Sequence, residues 1–212
     1  MTASTMPEWM RRLARKVESS RTADFTRFAV PDDGGREAAV LILLAENEPH
    51  GPDVLILERA ATMRNHAGQP AFPGGAADPG DGGPERTALR EAAEEVGLKP
   101  DSVTVIASLP RIWIPVSDFI VTPVLAWWHS PHTVTALEPA EVAKVARLPI
   151  EQLVDPANRL RVRHPSGWTG PAFAVGDMLV WGFTAGILTV LLELGGWARP
   201  WDTTRVENLP VR

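Results

Sequence analysis

Glu91, Glu94 and Glu95 stand within five residues of one another, directly behind a stretch from Gly74 to Gly83 in which five of ten residues are glycine. At about 100° per residue on a helix, the three carboxylates fall within an arc of about 100°. Leu89, Ala92, Ala93 and Val96, at i, i+3, i+4 and i+7, form an apolar stripe that is expected on the opposite side. Like charges at such spacings repel by about 0.2–0.5 kcal/mol per pair, so the cluster costs helix stability unless a cation sits on it. A lone E-x-x-E-E run is ordinarily a solvated acidic face. The glycine loop, stiffened by Pro73 and Pro79, points elsewhere, because it lets main-chain groups approach a ligand closely. Carboxylates are hard oxygen ligands suited to Mg²⁺ or Mn²⁺, which bridge to substrate phosphates. The chemistry implied is hydrolysis of a phosphoanhydride by water attacking in line on phosphorus, with no covalent enzyme intermediate. Glu91 and Glu95, one turn apart, are the first choice of metal ligands, with Glu94 close enough to join them.

The helix that carries these residues is well marked. Pro84 suits a first helical position, Glu85 favours the positive end of the dipole, and Gly97 is a natural left-handed stop. Arg90 either clamps phosphate or holds a neighbouring carboxylate in its ligating rotamer, the second being the favoured role. The general base is expected among Glu94, Glu95 and a downstream acid.

The run Arg90-Glu91-Ala92-Ala93-Glu94-Glu95-Val96-Gly97-Leu98 resembles the second half of the box of the Nudix hydrolases, G-x5-E-x7-R-E-U-x-E-E-x-G-U, with U a bulky apolar residue. The first half departs from it. Asp81 follows Gly75 after five residues in place of Glu, and eight residues, not seven, separate it from Arg90. This departure bears on the ion pair between box arginine and box acid. It is similar to the coenzyme A pyrophosphatase branch, which carries an upstream signature L-L-T-x-R-[SA]-x3-R-x3-G-x3-F-P-G-G. Here Arg59-Ala60, Arg64, Gly68 and Phe72-Pro73-Gly74-Gly75 keep every spacing from Arg59 onward, and only the Leu-Leu-Thr entry is degraded. Further runs that look like the family are Val121-Thr122-Pro123-Val124, Glu141-Val142, Leu148-Pro149 and Val180–Gly186.

The resemblance implies cleavage of coenzyme A, or of acyl or oxidised forms of it, to 4′-phosphopantetheine and adenosine 3′,5′-bisphosphate. It implies Mg²⁺ or Mn²⁺ as cofactor, with a loop carbonyl near Gly74 as a further metal ligand. Arg59, Arg64, Gly74 and Gly75 are then expected at the substrate, and Arg90, Glu94, Glu95 and Glu141 in catalysis, with Glu141 the preferred downstream base and Glu138 second. His66 is expected to be a structural hydrogen-bonder, Phe72 to pack beneath the loop, and the tryptophans to be core. Two rivals stand beside this reading: another Nudix activity on ADP-ribose, NADH or nucleoside triphosphates, and a silent nucleotide-binding Nudix module. Retention of all three box carboxylates speaks against the second.

Composition sets the frame. The chain has 212 residues, enough for one core, with 44% hydrophobic residues. A net charge of −5 disfavours a nucleic-acid partner. The absence of cysteine excludes disulfides, thiolate zinc sites and a cysteine nucleophile. The first 22 residues contain no apolar run of a secretory signal, and the uncharged run Met178–Leu192 is shorter than the roughly 20 residues of a membrane span. The cytoplasm is the expected compartment, a small diphosphate the expected partner, and a homodimer, common among Nudix enzymes, the expected oligomer. Helices are predicted over 7–20, 84–96, 150–154 and 177–194. Strands are predicted over 38–44, 54–57, 103–109 and 119–128, with a long functional loop over 60–83 and a loop over 110–118. The fold class is α/β (α+β), a mixed sheet flanked by helices, which the resemblance makes a Nudix-type α/β/α sandwich. The division expected is 1–36 as lead-in, 37–196 as the hydrolase domain and 197–212 as a loosely held tail.

Overall fold

The computed structural model of the protein describes residues 5–47, 49–63 and 67–209. Two helices lead in, α1 (Glu8–Glu18) and α2 (Thr22–Phe25), before β1 (Arg36–Asn47) and β2 (Gly51–Arg59) form an antiparallel pair. Two short strands follow, β3 (Pro70–Ala71) and β4 (Gly74–Ala76), then helix α3 (Pro84–Val96). After it come β5 (Val103–Ser108), β6 (Ile112–Ile114), β7 (Phe119–Trp128) and β8 (Val142–Pro149). These strands make a mixed sheet in the order β3-β2-β1-β7-β5, with β4 against β1, β6 against β7 and β8 against β2. The chain continues as α4 (Ile150–Val154), β9 (Arg159–Arg163), β10 (Thr169–Val175), β11 (Met178–Val180), α5 (Gly182–Leu194) and β12 (Val206–Asn208). The last four strands form a second sheet, ordered β11-β10-β9-β12.

β1 is central and parallel to β7, and it is buried on both faces, which accounts for its unbroken apolar run. Ile42 and Leu44 point to one layer, where α1, α5 and the small sheet pack with Met10, Leu13, Trp127, Phe173 and Leu188. Leu41 and Leu43 point to the other, against Ala88, Ala92 and Val96 of α3. The alanines of α3 let the helix axis approach the sheet closely and set the height of its polar flank. Helices therefore flank the sheet on both sides, the arrangement expected. Among the described residues no helix is long and apolar enough to cross a membrane.

Four local expectations are corrected. The predicted helix over 177–194 is a strand followed by a helix: Met178–Val180 pairs with β10, and the helix begins only at Gly182, whose φ of 67° breaks the backbone direction. The loop over 110–118 contains β6. β8, β9 and β10 were not predicted as strands. The described part of the tail, to Leu209, is pinned: β12 runs parallel to β9, and the guanidinium of buried Arg159 lies 4.6 Å from the Trp201 ring and 4.2 Å from that of Phe173. Burial lowers that arginine's pKa to about 10, with the charge of Glu193 opposing.

Candidate active site

The glycine loop crosses the sheet as β4, with Val40 opposite Gly74 and Ala39 opposite Gly75. At Gly74 φ is 155°, and a Cβ would lie 2.3 Å from the Ala39 carbonyl oxygen. At Gly75 the same atom would meet the Glu91 carboxylate at 2.6 Å. Bare backbone is thus required at Gly74, against a strand, whereas a Cβ at Gly75 would displace the carboxylate of Glu91. The helix starts after Gly83 with Pro84 in its first turn and ends at Gly97 in the left-handed region.

The three glutamates of α3 do not share one environment. Glu95 is 4% exposed, and its Oε2 accepts the Gly74 N–H at 2.9 Å. The Glu91 side chain, 17% exposed, lies against Gly75 and 3.0 Å from Arg90 Nη1. Glu94 is 58% exposed and accepts from Arg90 Nη1 at 3.0 Å. The apolar stripe runs through Ala88, Ala92 and Val96, with Leu89 and Ala93 only half-buried. Glu95 therefore borders the stripe, and the expectation of three acids opposite it is corrected. The sheet and the glycine loop draw in that flank of the helix. Among the described residues no three acidic or histidine side chains gather in a geometry that would hold a metal ion. Glu91 and Glu95 flank successive glycines, while Glu94 turns outward.

Burial sets the electrostatics of the inner pair. It pushes the Glu95 carboxyl up to about 7, against the Gly74 N–H and the Arg59 charge, while Glu91 and Glu141 raise it further. Glu91 is also pushed up, first by burial and then by Glu94 and Glu141, with Arg90 opposing. Two desolvated carboxylates that resist ionising together are a donor set fitted to a hard divalent cation, whose charge would hold both ionised. Mg²⁺ or Mn²⁺ fits these residues on that chemistry.

Arg90 is the hub beside them. Its Nε and Nη2 grip Asp81 as a fork at 2.8 and 3.0 Å, and Nη2 also donates to the Ala76 carbonyl at 3.0 Å. Asp81 further accepts from Thr87 Oγ1 at 2.8 Å and from the Asp78 N–H at 2.9 Å. Hydrogen bonds, Arg90's first, hold the Asp81 carboxyl well below the usual range, and the same partner raises the guanidinium. The shorter acid and the extra residue before Arg90 compensate each other, and the pair between box acid and box arginine is made. Thr87 was not singled out from the sequence, although a threonine in the first turn of a helix that follows an acidic loop is the available signal.

Arg59, at the end of β2, bears on Glu95 through its charge, and its buried Nε finds no hydrogen-bond partner among the described residues. Its N–H donates to the Gln69 carbonyl at 3.0 Å, closing the described part of the long loop. Arg64 and His66 lie outside the described residues. Glu141 is exposed, and its carbonyl accepts from Ala60 N–H at 2.7 Å. Its charge acts on both Glu91 and Glu95. The Glu138 carbonyl accepts from the Glu141 N–H at 2.9 Å. Phe72 is buried, as expected.

A cleft of about 520 Å³ opens beside Gly74, Gly75 and Arg59. Ile114, Phe119, Trp181 and Phe183 give it an apolar side. Trp181, expected in the core, lines this cleft because α5 begins one residue later. Thr184 Oγ1 donates to the Pro70 carbonyl at 2.9 Å, which ties that helix start to β3.

The sheet, the glycine strand and the acid-bearing helix together define a diphosphate-handling hydrolase scaffold. The NUDIX domain matches residues 35–167 of the chain. A protein of Citrobacter koseri described as "Uncharacterized Nudix hydrolase NudL" is 39% identical over 172 residues, covering 76% of this chain and 83% of its own. An Escherichia coli protein of the same description is 37% identical over 172 residues, with the same coverage. The crystal structure of the Nudix hydrolase RenU from M. smegmatis matches with a TM-score of 0.51 and 20% identity, over 81% of this chain and 94% of its own, a likeness of fold. The chain belongs to the Nudix family and is a Nudix hydrolase, of the class that acts on pyrophosphate-containing substrates.

Proposed function

We propose that the protein is a coenzyme A diphosphatase, cleaving CoA and its acyl or oxidised forms to 4′-phosphopantetheine (or its acyl form) and adenosine 3′,5′-bisphosphate. The observation that carries the reading is the place of the upstream signature. Arg59 and Gly74-Gly75, its two ends among the described residues, meet at one cleft beside Glu95. A signature that only shaped a surface loop would have no reason to converge there.

Glu91 and Glu95 are the residues that would hold Mg²⁺ or Mn²⁺, and the bound ion supplies charge neutralisation and Lewis acidity toward the diphosphate. Arg59, joined by Arg64 of the same signature, binds the anionic linkage through charge-assisted hydrogen bonds. Arg90 is a positioning residue: gripped by Asp81, it fixes Glu91 and Glu94 from one side. Glu94 is engaged by Arg90 and Glu95 by Gly74. Glu141 has no side-chain partner among the described residues and is the base of choice, taking the proton of the attacking water. The water oxygen bonds to phosphorus as the bridging P–O bond breaks, and the two halves leave as phosphate monoesters.

The deciding experiment compares turnover of CoA, dephospho-CoA, NADH and ADP-ribose with Mg²⁺ or Mn²⁺, with the products identified. CoA is expected to lead and to yield the two named products. A strong preference for any of the others refutes the assignment.

A further inference from the structure

The cleft has a guanidinium at each end, and the mechanism above uses only one. Arg59 stands at the glycine end, and Arg36, the first residue of β1, stands at the other. Arg36 is held in place from two sides. Its guanidinium lies 4.0 Å over the ring of Phe119, its partner across the β1–β7 pair, and its Nη2 donates to the Ser117 carbonyl at 3.0 Å. One face and one N–H are thereby occupied, which leaves the rest of the fork for a ligand. The neighbouring acids are engaged elsewhere: Glu37 pairs with Arg111, and Asp118 accepts from Trp113 Nε1 at 3.2 Å. No acidic side chain among the described residues pairs with Arg36.

The separation between the two ends is informative. Gly74 sits opposite Val40, four residues along β1 from Arg36, which is about 13 Å of strand. Ala38, Val40 and Val121 pave the interval and supply no charge. A nucleotide whose diphosphate lies at the glycine end can lay its sugar and base over this apolar floor toward Arg36. An anion carried on its nucleoside would then meet a fixed, planar fork, the geometry suited to a phosphate monoester bearing nearly two charges at neutral pH.

Resting on the coenzyme A reading, we propose that Arg36 is a specificity-determining residue that binds the phosphate monoester on the nucleoside half of the substrate, the 3′-phosphate in coenzyme A. Two measurements on the full chain test it. The first is calorimetric binding of adenosine 3′,5′-bisphosphate and of 5′-AMP to the wild type, Arg36→Ala and Arg36→Lys. The second is the ratio of kcat/KM for CoA over dephospho-CoA in the same proteins. The wild type is expected to favour the bisphosphate, and Arg36→Ala to shrink that preference about ten- to a hundredfold, carried by KM. Arg36→Lys restores part of it, keeping the charge without the fork. Equal weakening toward both nucleotides in Arg36→Ala, or no wild-type preference between them, overturns the inference. Absence of CoA turnover in the wild type sinks the coenzyme A assignment itself, and the nucleotide binding still judges Arg36 separately.

Discussion

Glu95→Gln is expected to separate function from stability. The carboxyl is buried, and burial lifts it from an ordinary 4.5 to about 7. Between those values the folded protein binds more protons at this site than the unfolded chain does. The contribution of Glu95 to stability therefore becomes less favourable as pH rises through that window, and it is constant above and below it. The full difference is about 3 kcal/mol against the folded state, reached above pH 7 without metal. Glutamine keeps an oxygen for the Gly74 N–H and carries no charge, so it escapes this cost. In EDTA at pH 8 the variant is expected to be more stable than the wild type by up to about 3 kcal/mol, a rise in Tm of about 6–12 °C. At pH 4 the two proteins should coincide. Turnover at pH 8 with saturating Mg²⁺ should fall by more than the roughly hundredfold typical of losing a residue that merely supports a metal ligand. Urea unfolding at both pH values, with parallel rate measurements, gives the comparison. Near-normal turnover would remove this carboxylate from the chemistry, and a variant no more stable at pH 8 would show that its burial carries no such penalty.

Three further outcomes follow from the geometry. Arg90→Ala frees Asp81, Glu91 and Glu94 together and should weaken Mg²⁺ binding, read by calorimetry, about 10–100-fold, with little rescue by Arg90→Lys because the fork on Asp81 is lost. Glu141→Gln should lower kcat about 10²–10⁴-fold while Mg²⁺ affinity stays within a few-fold, and equal losses in both would make it a ligand, not a base. Alanine at two adjacent glycines should act differently. Gly74→Ala drives a Cβ into the Ala39 carbonyl and should lose more than about 2 kcal/mol in urea unfolding, whereas Gly75→Ala meets only the movable end of Glu91 and should lose activity with stability within about 1 kcal/mol.

What could be read in the sequence was local. Pro84, Gly97 and the spacing between them fix α3 because caps and breakers act on their own turn. The apolar run of β1 and that of β7, interrupted only at Thr122-Pro123, announce buried strands in the same way. β8 to β10 were illegible for the complementary reason. β8 and β9 interleave Arg or Lys with apolar residues and β10 opens on Thr-Gly-Pro, and they become strands by pairing with β2 and with one another. At 177–194 the uniform apolar character concealed a change of element, and the positive φ of Gly182 marks the break.

The site shows the same division between local and long-range causes. Helical spacing places Glu91, Glu94 and Glu95 on one arc, with Glu95 at its edge beside Ala88 and Ala92 of the apolar stripe. The rest of the sorting comes from outside the helix. β4 lays Gly74 and Gly75 over one flank and draws Glu95 inward, while Arg90, anchored on Asp81, holds Glu94 at the surface. The fold makes one of the three glutamates a buried carboxyl near neutrality, one a half-buried neighbour and one an exposed partner for arginine. The glycines and Asp81 accordingly belong to the chemistry as fully as the glutamates, because they convert a repeating charge pattern into a graded donor set.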